Sequence, residues 1–166
     1  MGPGTEDAPG TKDYGRTNQV PSAKHQGLRS SVPKPPIVAQ VRWKRALVFD
    51  ATSASTSITI DGDSREGPSP VQVLVISLAG CMSADVAHIL AKGRTTLRAL
   101  DAEAIAERAQ ENPHRVTSVK IRFTVKGDVP RAAVERAIGL SHEKYCSVWH
   151  SMRQDIAFET SFEVVG

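Results

Sequence analysis

Hydrophobic and polar residues alternate most regularly in residues 116–125, and this period of two predicts a strand with one buried face. The inward positions of that strand are Val119, Ile121, Phe123 and Val125. Less regular alternation predicts further strands, one or two in 38–49 and one each in 57–61, 97–107 and 156–165.

A long apolar run after residue 69 predicts the first helix. Ser69 suits the N-cap, Pro70 suits the first helical position, and Gly93 marks the end after about residue 92. The first half is apolar on nearly all sides, so we expect this helix to be buried on most sides. We interpret it as a core helix and not as a membrane span, because Gln72 and Asp85 interrupt the run.

A second helix is predicted over residues 130–143. Its inward positions are Val134, Ala137, Ile138 and either Leu140 or Ser141. The resulting order β-β-α-β-β-α-β groups the strands into hairpins between helices. This order favours an α+β fold over a doubly wound parallel sheet.

The first 36 residues differ in composition from the rest of the 166-residue chain. They hold six of the ten prolines and five of the twelve glycines, with few large apolar side chains. Such a stretch buries too little surface to offset its ordering entropy. We therefore predict a disordered leader over 1–36 and one folded domain over 37–166.

Charge and targeting signals narrow the class of protein. The net charge is +3, of which the leader carries +2, so the folded part has no strong basic excess and nucleic acid is not an expected partner. The leader lacks the apolar run of a secretory signal. The sequence therefore predicts a soluble, cytoplasmic protein with no membrane partner.

The chain has two cysteines, Cys81 and Cys146, which are 65 residues apart. A secreted disulfide scaffold usually has more cysteines at closer spacing. In a reducing compartment such a pair is either two inert buried thiols or a redox couple. The count alone favours inert burial, because free cysteine is among the most buried residue types.

The neighbours of Cys81 are unusual for the middle of a helix. Gly80 costs roughly 1 kcal/mol relative to Ala at such a position, so we expect something to approach the backbone closely there. Asp85 and His88 follow Cys81 by four and seven residues and share its face. Each is either a polar partner of the thiol or part of a satisfied buried pair.

Cys146 lies between two histidines at helical spacing. His142, Cys146 and His150 would line one face of a continuous helix, which could hold zinc with one open position for water. A zinc-dependent hydrolase is therefore one alternative. Two observations weigh against it: the close ligand pairs of structural zinc motifs are absent, and Ser147 and Val148 suggest that the helix breaks.

Three strings in the sequence resemble the OsmC/Ohr family of thiol-dependent hydroperoxide reductases, and specifically its OsmC-like branch. They are Gly67–Pro70 before the first helix, Leu78–Met82 within it, and Leu140–Val148 around the second cysteine. The resemblance covers roughly residues 38–165. It implies strands wrapped around two central helices in an intertwined homodimer, with active sites at the interface and a role in oxidative-stress defence.

The same resemblance implies a reaction and its residues. Cys81 matches the cysteine that attacks the peroxide, and Cys146 matches the one that resolves the sulfenic acid into a disulfide. The expected partners are an organic hydroperoxide, or hydrogen peroxide, and a thiol reductant, often a lipoyl-type dithiol in the family. The resemblance implies no cofactor and no metal.

One departure from the family pattern concerns the environment of the thiolate. Ohr-type members carry a Glu just after the Pro that opens the helix, and this Glu holds an Arg against the attacking thiolate. Val71 and Gln72 occupy those places here. Arg45 is our candidate for stabilising the Cys81 thiolate, with Arg42 as the alternative. The other interpretation of either residue is a solvated basic face of the strand. The missing Glu also favours a second hypothesis, a non-catalytic or ligand-binding member whose thiols stay reduced.

Overall fold

The computed structural model describes residues 34–166, and residues Ile37–Gly166 form one compact unit. The predicted disordered leader lies outside the described residues, apart from its last three. The strands are β1 (Ala39–Arg45), β2 (Val48–Ser53), β3 (Thr56–Asp61), β4 (Thr96–Arg108), β5 (Val116–Asp128) and β6 (Ala157–Val165). The helices are α1 (Pro70–Lys92), α2 (Arg131–Leu140) and α3 (Ser147–His150), with a π turn at Ser141–Tyr145 between α2 and α3.

The strands form two three-stranded sheets. β1, β2 and β3 make an antiparallel meander, in which residues 38–49 supply two strands. In the second sheet β5 is central, antiparallel to β4 and parallel to β6. The parallel pair requires a crossover, which α2, the π turn and α3 provide. The predicted α+β class is confirmed.

The core lies between the second sheet and α1. The four predicted inward residues of β5 are at most 1% exposed. They pack in one cluster with α1 residues at four-residue spacing, Leu78, Met82, Val86 and Leu90, and with Val134, Ala137 and Ile138 of α2. Alternation on β5 and helical spacing on α1 thus meet in a single core.

The predicted start of α1 is confirmed. Ser69 caps the helix: its Oγ accepts the Gln72 N–H at 3.4 Å, while Gln72 Oε1 accepts the Ser69 N–H at 2.7 Å. The preceding loop is held by the buried Asp61, whose carboxylate accepts backbone N–H groups from Asp63, Arg65 and Glu66, each at 2.9 Å. These bonds, the one from Glu66 foremost, lower the pKa of Asp61.

The expectation that α1 is buried on most sides is wrong for this single chain. Its buried residues occupy one face, whereas Ile76 is 59% exposed and Gly80 would meet nothing within 4 Å if it carried a Cβ. The second sheet and α2 cover only one side of the helix.

By length and composition α1 could also cross a membrane, with a mean hydropathy of 1.9 over a window that is 22% buried. A core helix meets the same test, so this is weak evidence for a span.

The second helix is shorter than predicted. α2 ends at Leu140, and residues 141–145 continue as a π turn, closed by the Cys146 N–H donating to the Ser141 carbonyl at 2.8 Å. The backbone then leaves the helical conformation at Cys146, where ψ is 95°. The predicted helix over 130–143 is therefore wrong beyond Leu140, because the chain widens there to an i→i−5 hydrogen bond.

Candidate active site

The two cysteines meet where the middle of α1 faces the end of the π turn. The sulfur atoms of Cys81 and Cys146 and a carboxylate oxygen of Asp85 all lie within 4.8 Å of one another. Both thiols are free; Cys81 is half-buried and Cys146 is fully buried. Residues 65 positions apart in sequence thus have their sulfur atoms within 4.8 Å of each other.

Helix α1 presents Cys81 and Asp85 on the same face, one turn apart. The Cys81 sulfur also lies 3.9 Å from the Ser147 hydroxyl, which belongs to the first residue of α3. The half-buried Cys81 therefore faces the second cysteine, a carboxylate and a hydroxyl.

Cys146 occupies the junction between the π turn and α3. Its sulfur accepts the Trp149 N–H at 3.4 Å and so caps the start of α3. The pKa of the Cys146 thiol is raised to about 11. Burial is the main cause, and the neighbouring Cys81 also contributes to the rise. The Trp149 N–H opposes this shift without overcoming it. Cys146 is thus held as a neutral thiol at neutral pH.

Asp85 is tied to the π turn. Its Oδ2 accepts a hydrogen bond from the Ser141 hydroxyl at 2.8 Å, and Ser141 is fully buried. Asp85 therefore has features of both alternatives left open by the sequence: it is paired with Ser141, and its carboxylate also lies within 4.8 Å of both sulfurs. His88 is exposed and lies one turn further along α1.

A cleft of about 420 Å³ opens beside Asp85. Its lining combines apolar and titratable side chains: Asp85, His88, Ile89, Lys92, Leu140 and Tyr145. Asp85 belongs both to this cleft and to the group formed with the two cysteines, while neither cysteine is among the lining residues.

Arg45 ends β1 and forms an ion pair with Glu66, in which both side chains are exposed. Within residues 34–166 its hydrogen-bond partner is Glu66, and it donates to neither cysteine. Arg42, the alternative, lines a surface cleft with Asp50 on the adjoining strand. Neither Arg is brought to Cys81 in this chain, so the assignment of Arg45 to the thiolate stays a prediction.

Sequence reasoning missed two residues, Glu66 and Ser141. Glu66 supplies a carboxylate to Arg45 from four positions before the helix-opening Pro70, whereas the family pattern places its Glu just after that Pro. Ser141 appeared only as a possible inward position of a helix. Its pairing with Asp85 depends on the π turn, and no local signal in the sequence marks that turn.

The predicted zinc ligands His142, Cys146 and His150 do not converge. The helix breaks at Cys146, the His142 ring stacks on Phe158 with centroids 4.8 Å apart, and His150 is exposed. Across residues 34–166, the metal-ligating atoms that do converge are those of Cys81, Asp85 and Cys146. Two sulfurs and one carboxylate oxygen are a donor set that suits zinc, but binding a metal would occupy both thiols.

The fold and the site together define a class: an α+β domain whose long core helix brings a cysteine to a second cysteine on a crossover segment. The family model described as "OsmC-like protein" matches residues 61–161, more than half of the chain. Protein YhfA of Escherichia coli K12 is 38% identical over 130 residues, which cover 76% of this chain and 97% of YhfA. The chain belongs to the OsmC/Ohr family.

Solved structures agree on the fold. A hypothetical protein from Aquifex aeolicus VF5 has a TM-score of 0.74 and 26% identity, covering 80% of this chain and 98% of its own. A Legionella pneumophila protein described as an organic hydroperoxide resistance protein OsmC has a TM-score of 0.60 over 78% of this chain and 98% of its own. At 12% identity, that second likeness shows the fold alone.

Proposed function

We propose that this protein is a two-cysteine hydroperoxide reductase. The observation that carries the proposal is the approach of the Cys81 and Cys146 sulfurs to within 4.8 Å. The sulfurs of a disulfide are about 2.05 Å apart. Side-chain rotation and small backbone shifts can bring the two sulfurs from their present separation to that distance. The family is linked to peroxide chemistry and oxidative stress, which agrees with such a pair.

Two differences between the thiols support their roles. Cys81 is half-buried, and Asp85, one turn further along α1, lines a cleft from which we propose that a peroxide approaches Cys81. Cys146 is fully buried, and its thiol pKa is raised to about 11, so it is a poor first nucleophile at neutral pH. We therefore assign the attack on peroxide to Cys81 and the resolving step to Cys146.

The reaction then proceeds in three balanced steps. The Cys81 thiolate attacks one peroxide oxygen, the O–O bond breaks, and the departing alkoxide takes a proton to leave as an alcohol, or as water from hydrogen peroxide. Cys81 becomes a sulfenic acid, which Cys146 attacks to form the disulfide with loss of water. A dithiol then reduces the disulfide by exchange and is itself oxidised.

Arg45 remains our candidate for stabilising the Cys81 thiolate. Its ion pair with Glu66 supports this role, because Glu66 holds the guanidinium as the family's missing carboxylate would. In this proposal Glu66 replaces a residue that Val71 and Gln72 do not supply. Assembly with a second copy would bring the β1–β3 sheet, and Arg45 with it, to the site.

A homodimer is part of the proposal. The β1–β3 sheet packs chiefly within itself, and its Val41 and Trp43 are 62% and 64% exposed. Small sheets of this kind need a covered apolar face. The exposed face of α1, with Ile76 and the open Gly80, lacks a cover as well. A second copy would cover both faces, as the intertwined dimer implied by the resemblance does.

The proposed substrate is an organic hydroperoxide, and hydrogen peroxide is the second substrate whose turnover should be measured. The apolar Ile89 and Leu140 in the cleft beside Asp85 suit an alkyl group. The Legionella protein of the same fold is described as an organic hydroperoxide resistance protein, which points the same way. A reducing cytoplasm would supply the lipoyl-type or other dithiol.

One observation favours a second candidate function. The raised pKa of the buried Cys146 is also what an inert core thiol shows. In that case the protein is a non-catalytic member of the family that binds a small ligand. The two candidates differ in whether peroxide consumes the thiols.

Turnover tests the proposal directly. Purified protein is mixed with cumene hydroperoxide and dihydrolipoamide, and peroxide loss is followed for wild type, Cys81→Ser and Cys146→Ser. We expect multiple turnovers for wild type and none for Cys81→Ser. Cys146→Ser should consume one equivalent of peroxide and then slow. Equal background rates for all three proteins would instead establish the non-catalytic candidate.

A further inference from the structure

The resolving step needs a group that accepts a proton. Cys146 must lose its thiol proton to attack the Cys81 sulfenic acid, yet its sulfur is fully buried and carries a raised pKa. The backbone N–H of Trp149 donates to this sulfur but cannot accept a proton. A neighbouring base that takes this proton during the attack would therefore speed the resolving step.

We propose that Asp85 is the general base of the resolving step and that the Ser141 hydroxyl positions it. A carboxylate oxygen of Asp85 lies within 4.8 Å of both sulfurs, and the Ser141 hydroxyl holds Oδ2 at 2.8 Å. This inference rests on the proposed function, because it concerns the second chemical step of the same cycle.

The proton and electrons balance through this single carboxylate. The Cys146 Sγ–H proton passes to Asp85 as the sulfur lone pair attacks the sulfur of Cys81, and the S–O bond of the sulfenic acid breaks. The departing hydroxide takes the proton back from Asp85 and leaves as water. The S–S bond replaces the S–O bond, and Asp85 ends the step in the protonation state in which it began.

Ser141 links the base to the resolving cysteine. Its hydroxyl donates to Asp85, while its backbone carbonyl accepts the Cys146 N–H at 2.8 Å. Ser141 is fully buried, so its hydroxyl and carbonyl are shielded from water, whereas Asp85 is half-buried and lines the cleft. One serine on the π turn thus fixes both the carboxylate on α1 and the cysteine that it is to deprotonate, leaving the second carboxylate oxygen of Asp85 available for the proton.

Other titratable groups near Asp85 are less well placed for this role. The cleft beside it also contains His88 and Lys92 of α1 and Tyr145 of the π turn. His88, Lys92 and Tyr145 are all exposed. Among the His, Cys, Asp and Glu side chains of residues 34–166, Asp85 is the one whose ligand atom converges with both sulfurs, and His88 does not join it. Asp85 is therefore the titratable neighbour that the geometry selects.

Asp85→Asn tests the base, because the amide oxygen can still accept the Ser141 bond while the basic carboxylate is lost. The two steps are separated by rapid mixing with cumene hydroperoxide, quenching, and mass analysis of Cys81 sulfenic acid and disulfide. At pH 7 we expect sulfenic acid formation within about twofold of wild type. Disulfide formation should slow by about 10²-fold, the usual contribution of a general base. Glu143→Gln, an exposed charge change on the same π turn, should resolve as wild type does.

The pH profile separates a base from a purely structural residue. Without Asp85 the Cys146 proton must be lost to solvent, so the resolving rate of Asp85→Asn should rise about tenfold per pH unit between pH 7 and 9. The resolving rate of wild type should rise less steeply with pH. The rates of the two proteins should therefore converge as the pH approaches the pKa of the Cys146 thiol, about 11. Ser141→Ala keeps the Asp85 carboxylate and loses the hydroxyl that donates a hydrogen bond to it. It should resolve more slowly than wild type at every pH and with the wild-type slope.

Three results would overturn the inference: wild-type resolution in Asp85→Asn, a constant defect across pH in that variant, or equal slopes for Asp85→Asn and Ser141→Ala. If Asp85→Asn does not fold by circular dichroism, the Ser141→Ala arm decides. A wild-type resolving rate in Ser141→Ala would contradict the claim that Ser141 positions Asp85. A wild-type protein that forms no sulfenic acid would contradict the proposed function itself, a result distinct from all of these.

Discussion

At the scale of single residues, the site depends on pairs that lie far apart in sequence. Cys81 and Cys146 could be singled out from the strings around them. Asp85 could be placed on the face of Cys81 by helical spacing alone. Glu66 could not be identified as the partner of Arg45, because that pairing depends on how the loop after β3 folds back towards β1. Side-chain partners across loops are set by tertiary structure.

The Arg45–Glu66 pair leads to a prediction about the first step. Glu66→Gln should slow the formation of Cys81 sulfenic acid by about fivefold or less, because an exposed pair of this kind contributes about 1 kcal/mol or less. Arg45→Ala should slow it more, because the positive charge itself is lost. The measurement is the second-order rate constant with excess cumene hydroperoxide.

Arg42→Ala is the matched control for Arg45→Ala, since both residues lie on β1 and were both candidates. It should leave the rate constant near that of wild type. A larger defect in Arg42→Ala than in Arg45→Ala would transfer the assignment to Arg42.

At the scale of elements, the sequence was most informative where one periodicity extends over many residues. β5 and α1 were predicted with nearly correct ends, because alternation on β5 and a capped apolar run on α1 are local signals. The π turn at Ser141–Tyr145 was not predicted. Its i→i−5 bond is stabilised by contacts of Ser141 with α1, which a local pattern does not contain.

The loop that enters α1 gives a prediction of pH-dependent stability. Backbone N–H bonds lower the pKa of Asp61, so its carboxylate stabilises the folded protein above its ordinary pKa of 3.8. This stabilisation is lost as the pH falls below 3.8 towards the lowered value. Asp61→Asn should therefore lower Tm at pH 7, and its deficit relative to wild type should shrink as the pH falls below 3.8.

Thermal unfolding by circular dichroism between pH 7 and 2.5 measures this effect. Asp101→Asn, on an exposed position of β4, is the control and should leave Tm nearly unchanged at every pH. A constant Tm deficit of Asp61→Asn across the whole range would mean that packing of the side chain, and not its charge, stabilises the loop.

At the scale of the whole molecule, the described chain leaves two apolar surfaces uncovered. The sequence indicated that α1 should be buried on most sides, and a single chain buries only one. The proposed dimer would account for the difference, because the apolar pattern of a helix reflects every surface that covers it, including one from another copy. The same reasoning applies to the exposed Val41 and Trp43 of β1.

The proposed dimer is tested by substituting the open face of α1. Light scattering after gel filtration should give twice the chain mass of 17.9 kDa for wild type. Ile76→Asp should shift the protein to monomer, because a carboxylate would be buried in the interface. Ile105→Asp is the control, since Ile105 is also 59% exposed but lies on β4 among the charged side chains Glu103, Lys120 and Arg122.

A wild-type monomer at micromolar concentration would contradict the dimer. So would an identical loss of mass in both variants, because Ile105 lies on the polar outer face of the second sheet.

The measurement that tests the central claim most directly is a peptide mass map after one equivalent of cumene hydroperoxide. The reduced wild-type protein is treated, its remaining thiols are alkylated, and it is digested without reductant. The account predicts that peptides containing Cys81 and Cys146 appear joined by a disulfide within seconds, and that Cys146→Ser yields Cys81 sulfenic acid instead. Recovery of both cysteines alkylated as free thiols after minutes would contradict the account.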